Sequence, residues 1–187
     1  MGNVIEFRNI TKYFPGVKAL DSISFTARGG EVLALMGENG AGKSTLLKVL
    51  NGDYQQDMGD YLVNGEPCHF SSPREAVAAG IGVIYQELSL IPTLSIAQNV
   101  MLGKEKEKCG VLQLRQMRQK VKELIDFYDF GLDPDAVVET LSIAQRQTVE
   151  ILKALSEDSR IIIMDEPTAS LSSKESEALF GIIDQLR

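Results

Sequence analysis

Histidine, cysteine and long apolar runs are scarce in this chain of 187 residues. Its single histidine is His69, and its cysteines, Cys68 and Cys109, lie far apart without CxxC or metal-ligand spacing. The sequence therefore offers no zinc motif, and two free thiols in a reducing compartment are expected. No apolar run is long enough to cross a bilayer, so we expect any link to a membrane to come through a partner.

Basic residues are outnumbered in this chain. Lys and Arg total 19 against 26 Asp and Glu, and the formal net charge is -7. This balance argues against broad nucleic-acid binding, because the phosphate backbone attracts positively charged surfaces. Hydrophobic residues make up 44% of the chain, which is enough for a packed core. The composition predicts one folded domain with room for a smaller inserted subdomain.

Hydrophobic periodicity predicts strands that alternate with helices. Alternating polarity predicts half-buried strands over residues 4–10 and 23–27, and apolar runs predict buried strands over 32–36, 81–85 and 160–164. Helical patterns cover residues 44–51, 73–79, most of 95–155 and 174–187, with a hairpin turn at Asn64-Gly65 and a charged surface loop over 104–108. This order predicts an α/β core, and the helical stretch between two core strands predicts an inserted subdomain.

A glycine-rich loop follows the predicted strand 32–36 and opens the predicted helix 44–51. The loop fits the pattern GxxxxGK[ST] and consists of Gly37, Glu38, Asn39, Gly40, Ala41, Gly42, Lys43, Ser44 and Thr45. Glycines let backbone amides turn inward around phosphate oxygens, and a helix start directs its positive dipole end at the same anion. We expect Lys43 to reach the β- and γ-phosphates of a nucleotide and the Ser44 hydroxyl to ligate Mg²⁺.

A pair of acids follows the predicted strand 160–164. The carboxyl ends of strands in a parallel sheet form the ligand crevice, so we expect both acids to face a bound nucleotide. Asp165 would hold Mg²⁺, through water, and Glu166 would orient and polarise the attacking water. A strand end capped by solvated acids would look similar by itself, and the presence of a phosphate-loop motif in the same chain favours the functional interpretation.

Together these motifs resemble the ABC ATPase family. Gln86 follows the predicted strand 81–85 where that family has its Q-loop glutamine, which the resemblance implies is a sensor of Mg²⁺ and the γ-phosphate. Pro167 and Thr168 follow the acidic pair, as they do in the family, and Leu141 to Gln145 stand where the LSGGQ signature is expected. The resemblance covers nearly the whole chain, with four motifs in the family's order.

Two segments could correspond to the family signature, because the sequence Leu-Ser-Ile-Ala-Gln occurs at 94–98 and again at 141–145. Both copies are capping boxes, which by themselves predict only a helix start. The second copy precedes the helix that leads into the Asp165 strand, as the family signature does. The resemblance therefore assigns the signature to Ser142, Ile143, Ala144 and Gln145, with Ile143 and Ala144 replacing two glycines.

A narrower resemblance is to the first ATPase half of monosaccharide importers of the ribose and galactose type. It is carried by the run Phe14 to Leu20 (FPGVKAL), by the phosphate loop and by the non-glycine signature. It implies that Phe14 stacks on adenine, with Tyr13 as a neighbouring candidate and a small hydrophobic cluster as the alternative. The chain also departs from the family pattern at Ser172, where many family members carry Asp.

The resemblance implies a P-loop NTPase core with a parallel sheet, an N-terminal antiparallel β part and an inserted helical subdomain. The core would take residues 1–86 and 156–187, and the helical subdomain residues 87–155. The implied activity is ATP hydrolysis with Mg²⁺ that powers import of a simple sugar. The ATPase would lie on the cytoplasmic face of the cell membrane, with a second ATPase half, permease subunits and, indirectly, a sugar-binding protein as partners.

Two alternatives remain open: a soluble ABC-type ATPase that acts on ribosomes or DNA, and a half that holds ATP with degenerate hydrolysis. A GTPase is disfavoured because the chain has no NKxD-type segment. His69 precedes the Q-loop, so it is not the family's switch histidine, which follows the acidic pair. We therefore expect a fragment that ends before that histidine and that, alone, binds Mg-ATP weakly and hydrolyses it little.

Overall fold

The computed structural model describes residues 4–85, 88–105, 107–108, 111–157, 159–169 and 171–186. The strands are β1 (Val4–Phe14), β2 (Val17–Arg28), β3 (Met58–Val63), β4 (Glu66–Pro67), β5 (Ile81–Ile84), β6 (Glu107–Lys108), β7 (Val111–Leu112) and β8 (Ile161–Met164). The helices are α1 (Lys43–Leu50), α2 (Pro73–Ala78), α3 (Ile96–Met101), α4 (Leu114–Phe127), α5 (Ile143–Leu155) and α6 (Ser173–Gln185), with a 3-10 turn at Val138–Thr140. The predicted α/β class is confirmed.

The chain divides into two units, one ending at Gly82 and one spanning Val83–Leu186. The first unit holds the predicted phosphate loop, and the second holds the predicted acidic pair and signature. The predicted subdomain boundaries at residues 87 and 155 stay a prediction.

An antiparallel sheet with the strand order β2-β1-β3-β4 forms much of the first unit. Phe7 of β1 lies opposite Phe25 of β2 on one side and Tyr61 of β3 on the other. The ring centroid of Phe7 is 4.4 Å from that of Phe25 and 5.0 Å from that of Tyr61. These stacked rings hold the register, because a shift of one residue would turn each ring to the opposite face. The predicted N-terminal antiparallel β part is confirmed.

The predicted hairpin turn connects β3 to β4. Asn64 and Gly65 both have positive φ, 54° and 84°, the combination that two-residue hairpins of type I′ require. The Asn64 side chain also accepts a hydrogen bond from the amide of Val4, at 2.9 Å, which ties the turn to the start of β1. The turn prediction from the Asn-Gly pair is confirmed.

Helix α5 joins the two apolar clusters of the second unit. Its Val149 and Leu152 are buried in a cluster with α3 and α4, and its Ile151 is buried against Ile84 of β5 and Leu179 of α6. β5 pairs with β8 in a two-stranded parallel sheet. Since α5 buries side chains in both directions, its orientation is fixed by the helices on one side and by the sheet and α6 on the other.

The prediction of a buried strand over residues 32–36 is wrong for this structure. Residues 31–38 have neither helix nor strand, and the side chains of Val32 and Met36 are 58% and 92% exposed. Apolar composition favours a strand, but a strand forms only where a neighbour pairs with its backbone groups. In the part of the chain that the structure describes, no strand pairs with this run. The prediction for β8 is confirmed in place, although its side chains are half-buried rather than buried.

The charged run at 104–108 is also not a simple solvated loop. Lys104 is half-buried, and its Nζ lies 2.6 Å from the hydroxyl of Ser156 and 3.1 Å from a carboxylate oxygen of Glu157. Burial lowers the pKa of Lys104, opposed by the nearby Glu157 carboxylate. Glu107 and Lys108 pair with β7. The side chain of Lys104 therefore stabilises the C-terminal end of α5, where helix carbonyls favour a cation.

Histidine and cysteine, which are scarce in this chain, form no metal centre among the residues that the structure describes. His69 is exposed, with Nδ1 3.3 Å from Nε2 of Gln56. Cys68 is a half-buried free thiol, and Cys109 lies outside the described residues. In the same part of the chain, no group of three or more His, Cys, Asp and Glu could hold a metal ion. Nor does it contain a helix long and apolar enough to cross a membrane.

Candidate functional site

The predicted phosphate loop opens α1, as the motif requires. Gly42 is the N-cap of the helix, with a left-handed φ of 91°, and Gly40 has a φ of 86°. A Cβ at Gly42 would lie 2.4 Å from the carbonyl oxygen of Ala19 in β2. Gly42 therefore satisfies two demands at once, a backbone conformation that other residues rarely adopt and a close approach to β2.

Lys43 folds back over its own loop. Its Nζ donates hydrogen bonds to the carbonyl oxygens of Gly37, at 2.7 Å, and Glu38, at 3.0 Å. The loop itself is closed by a hydrogen bond from the amide of Ala41 to the carbonyl oxygen of Glu38, at 3.1 Å. The ammonium group thus lies over the mouth of the glycine-rich turn, where its positive charge faces any anion bound by the loop amides.

The start of α1 differs from the starts of α5 and α6, which a serine side chain caps, and shares its lack of a side-chain cap with α4. The first turn of α1 contains no acidic residue, whereas that of α6 contains Glu175. Ser44, the predicted Mg²⁺ ligand, is exposed in the first turn of α1. Uncapped amides at a helix N-terminus are the groups that bind phosphate.

Of the two candidates for stacking on adenine, Phe14 is packed against another ring and Tyr13 is exposed. Phe14 is half-buried and meets Tyr54 edge-to-face, with ring centroids 5.3 Å apart, and Lys12 Nζ lies 5.7 Å from its centroid. Tyr13 is 47% exposed, with Lys18 Nζ 5.7 Å from its centroid. The structure thus shows Phe14 in a small aromatic cluster while Tyr13 keeps a ring face near solvent. Stacking of Phe14 on adenine stays a prediction.

The acidic pair lies at the end of β8. The amide of Asp165 donates to the carbonyl oxygen of Ile84 at 3.0 Å, which continues the pairing between β8 and β5 by one residue. Glu166 is exposed and has a φ of 45°, in the left-handed region that non-glycine residues seldom occupy. Gln86, the predicted Q-loop residue, lies outside the described residues.

Both copies of Leu-Ser-Ile-Ala-Gln form capping boxes, as predicted. In each, the Gln amide donates to the Ser hydroxyl at 3.2 Å and the Ser amide donates to the Gln side chain at 2.9 Å. Around Ser95, the amides of Ile96 and Ala97 also donate to the carbonyl oxygens of Ala136 and Pro134, both at 2.9 Å. Protein carbonyls therefore already occupy the first-turn amides of α3.

The helix start at Ser142 is more exposed to solvent than the helix start at Ser95. Ser142 is exposed and Ile143 is 44% exposed, whereas Ile96 is fully buried. The carboxylate of Glu175 lies close to this helix start: bonds from the Ser172 hydroxyl and amide, and then from the Ala144 amide, lower the pKa of Glu175. Of the two helix starts, that of α5 has the more exposed residues, and the Glu175 carboxylate lies at one of its amides.

Hard oxygen donors suit the metal that the motif implies. A hydroxyl at Ser44 and a carboxylate at Asp165 are ligands that Mg²⁺ accepts, and Asp165 is half-buried at a strand end. Mg²⁺ is usually bound by one or two carboxylates together with substrate phosphates, not by a dedicated protein cage. Each of these donors is compatible with such a site; Ser44 belongs to the first unit and Asp165 to the second.

Periodicity analysis did not select the buried Glu150 and Asn99 or the exposed Ser89, which form side-chain hydrogen bonds with the segment 88–91 of the second unit. Glu150 and Asn99 are buried, and each accepts a hydrogen bond from a backbone amide in the segment 88–91. A signal existed for Glu150, because it interrupts the apolar run Val149-Glu150-Ile151-Leu152. An acid within the apolar face of a helix predicts a buried partner.

Known proteins are similar to this chain over its whole length. The family model described as ABC transporter matches residues 20–169. The chain is 52% identical over all its 187 residues to arabinose import ATP-binding protein AraG 1 of Burkholderia ambifaria. It is 51% identical over the same length to arabinose import ATP-binding protein AraG of Rhizobium meliloti. In each case the chain spans 37% of the length of the relative.

Solved structures show the same fold. The ADP conformation of an ATP-binding cassette of an ABC transporter superposes on the whole chain and on 77% of its own length, with a TM-score of 0.87 and 26% sequence identity. A nucleotide-free ATP-binding cassette from an ABC transporter gives a TM-score of 0.84 at 26% identity, with the same coverage of both chains. The arrangement of strands and helices in both units is therefore that of an α/β P-loop ATPase domain.

Proposed function

The chain belongs to the ABC transporter family, and from this premise we propose that it binds ATP with Mg²⁺ and hydrolyses it to power import of a simple sugar through membrane subunits. The import role is supported by relatives about half identical over the whole chain, which carry the name arabinose import ATP-binding protein. The proposed cargo class is a monosaccharide, with a pentose such as arabinose as the first candidate.

The observation that carries the proposal is the uncapped start of α1 beneath Lys43. The helix offers amides without a competing side chain or first-turn acid, and the Lys43 ammonium lies 2.7 Å from the carbonyl oxygen of Gly37 at the mouth of the loop. A triphosphate supplies the negative charge that this combination favours. Lys43 would exchange its contacts with carbonyl oxygens for stronger contacts with phosphate oxygens.

Each remaining predicted site residue has a proposed task. Loop amides from Glu38 to Thr45 would cradle the phosphates, and Phe14 or Tyr13 would stack on adenine. Ser44 and Asp165, with Gln86, would hold Mg²⁺, which supplies charge neutralisation for the phosphates when bound. Glu166 would orient the attacking water and polarise it.

The proposed partners follow from membership of the ABC transporter family, and the exposed Ser142 at the start of α5 is the contact that we propose for a second ATPase half. Ser142 to Gln145 would face the γ-phosphate of ATP bound to a second ATPase half, so two ATP molecules would be enclosed between two halves. Permease subunits would couple this closure to transport, and a sugar-binding protein would act indirectly. We propose a peripheral location on the cytoplasmic face of the membrane.

Replacement of Lys43 tests the proposal. Lys43→Ala should weaken Mg-ATP binding by about tenfold to a hundredfold, because a charge-assisted contact with phosphate is lost. Isothermal titration calorimetry measures this affinity. Lys122→Ala is a matched control, because Lys122 pairs with Asp126 on the surface of α4. If both variants bind Mg-ATP as tightly as the wild type, the loop is not the nucleotide site.

A further inference from the structure

Glu150 is a buried carboxylate with no part in the roles described so far. It lies in the middle of α5 between apolar residues and is 8% exposed. Its Oε1 accepts a hydrogen bond from the amide of Ser89 at 2.6 Å and another from the Ser89 hydroxyl at 3.0 Å. Because burial of a charged group is costly unless it is hydrogen-bonded, Glu150 and Ser89 hold each other in place.

Lys153 completes a directed chain of hydrogen bonds. Its Nζ donates to the Ser89 hydroxyl oxygen at 2.9 Å, and that hydroxyl donates in turn to Glu150. The two charged side chains are three residues apart on α5, so they lie on the same face of the helix. Both hydrogen bonds of the Ser89 hydroxyl have a charged partner, and such bonds are about twice as strong as neutral ones.

The segment that Glu150 holds has no regular structure of its own. Residues 88–91 are neither helix nor strand, yet their backbone is fixed by buried side chains. Besides Glu150 of α5, the buried Asn99 of α3 accepts from the amide of Ile91 at 2.7 Å and donates to its carbonyl oxygen at 3.0 Å. Glu150 therefore links this segment to α5, and Asn99 links it to α3.

We propose that Glu150 is a positioning residue for ATP hydrolysis, which couples the segment just after Gln86 to the helix that begins at Ser142. The proposal rests on the function proposed above for Gln86 and Ser142. Glu150 stands eight residues after Ser142 on one continuous helix, a distance of about 12 Å. Because α5 is one continuous helix, a displacement of the segment 88–91 that carried Glu150 with it would also displace the start of α5.

Steady-state ATP hydrolysis tests the proposal, measured in the protein that carries this chain together with its permease subunits. Glu150→Ala should lower kcat by about tenfold and leave KM for ATP within about twofold, because the phosphate loop is untouched. Glu150→Gln keeps a carbonyl oxygen that accepts from the Ser89 amide, and it should recover most of kcat. Glu123→Ala, an exposed glutamate on α4, should behave like the wild type.

Hydrogen exchange separates positioning from general destabilisation. Amides of residues 88–91 should exchange faster in Glu150→Ala than in the wild type, while amides of α1 should not change. If Glu150→Ala does not fold, Ser89→Ala decides, since it removes the hydroxyl and leaves the amide contact. We expect Ser89→Ala to lower kcat by about threefold without a change in KM.

Several results would overturn the proposal. A folded Glu150→Ala variant with wild-type kcat is one, and equal losses in Glu150→Ala and Glu150→Gln are another. If Glu150→Ala fails to fold, a Ser89→Ala variant with wild-type kcat would also overturn the proposal. The proposed function fails in a different way, because then the wild type itself would not hydrolyse ATP or Lys43→Ala would bind it normally.

Discussion

The backbone of Glu166 has a conformation that is unfavourable in free energy. Its φ of 45° places it in the left-handed region, where a side chain other than that of Gly, Asn or Asp is uncommon. Such conformations cost on the order of 1–3 kcal/mol and persist where the surrounding structure determines them. Here β8 ends at Met164, the hydrogen bond from Asp165 to Ile84 follows, and the chain turns at Glu166. The Glu166 side chain at this turn is exposed.

Replacement of Glu166 by glutamine tests the hydrolytic role assigned to this carboxylate. In the transporter to which we propose this chain contributes, Glu166→Gln should keep Mg-ATP affinity within about twofold and slow hydrolysis at this site by at least about a hundredfold. The amide cannot polarise water as a carboxylate does, while Asp165 stays free to hold the metal. A single-turnover assay specific for this site is required, because a second ATPase half can turn over independently.

Asp165→Asn serves as the comparison for that experiment. It should weaken the effect of Mg²⁺ on ATP binding, which Glu166→Gln should not do. Unchanged hydrolysis at this site in Glu166→Gln would show that another group orients the water.

Two helices begin with the same five residues and end up in different surroundings. Ser95 and Ser142 form capping boxes with matching distances, so the local structure of both follows from sequence. What differs is the environment: the amides of Ile96 and Ala97 donate to neighbouring carbonyl oxygens, and Ile143 is exposed. A helix start is available to a ligand only when the rest of the fold leaves its amides accessible.

Arginine at these two serines gives a matched test of the signature assignment. Ser142→Arg should prevent ATP-driven association of ATPase halves without loss of ATP affinity, because the bulky side chain covers the start of α5. Ser95→Arg should leave association within about threefold, although both variants lose a cap that contributes on the order of 1 kcal/mol. Sedimentation velocity with and without ATP measures association.

Thermal unfolding is the control for both arginine variants. Ser95 forms an isolated antiparallel bridge with Val137, so Ser95→Arg should lower Tm more than Ser142→Arg. The assignment would be wrong if both variants reduced association equally while they stayed folded.

Local signals predicted most elements of the fold, and tertiary context decided the remainder. The Asn64-Gly65 hairpin and both capping boxes depend on a few adjacent residues, and all appear as predicted. The phosphate-loop helix begins at Lys43, one residue before the predicted Ser44. The half-buried setting of Lys104 could not be predicted, because its contact with Ser156 joins residues 52 positions apart.

Within the first unit, an apolar run that sequence analysis expected to be interior is exposed. Val32, Leu33, Leu35 and Met36 are all exposed, between β2 and the phosphate loop. Single exposed apolar side chains are common on soluble proteins, but contiguous ones mark surfaces that bind another molecule or associate with themselves. The unpaired backbone of this run adds hydrogen-bonding groups that can pair with another chain.

We therefore expect this chain to self-associate through residues 32–36 as its concentration rises. Leu33→Lys should shift the association constant by at least about tenfold towards the monomer, since it places a charge within the apolar run. Phe127→Lys is the matched control, because Phe127 is 79% exposed on α4 and should matter much less to association. Sedimentation equilibrium at several concentrations gives the constant, and thermal unfolding reports the cost of each substitution. A wild type that stays monomeric throughout would contradict the prediction, and so would a large loss of Tm in Leu33→Lys, because a lysine is tolerated there only if the side chain it replaces is exposed.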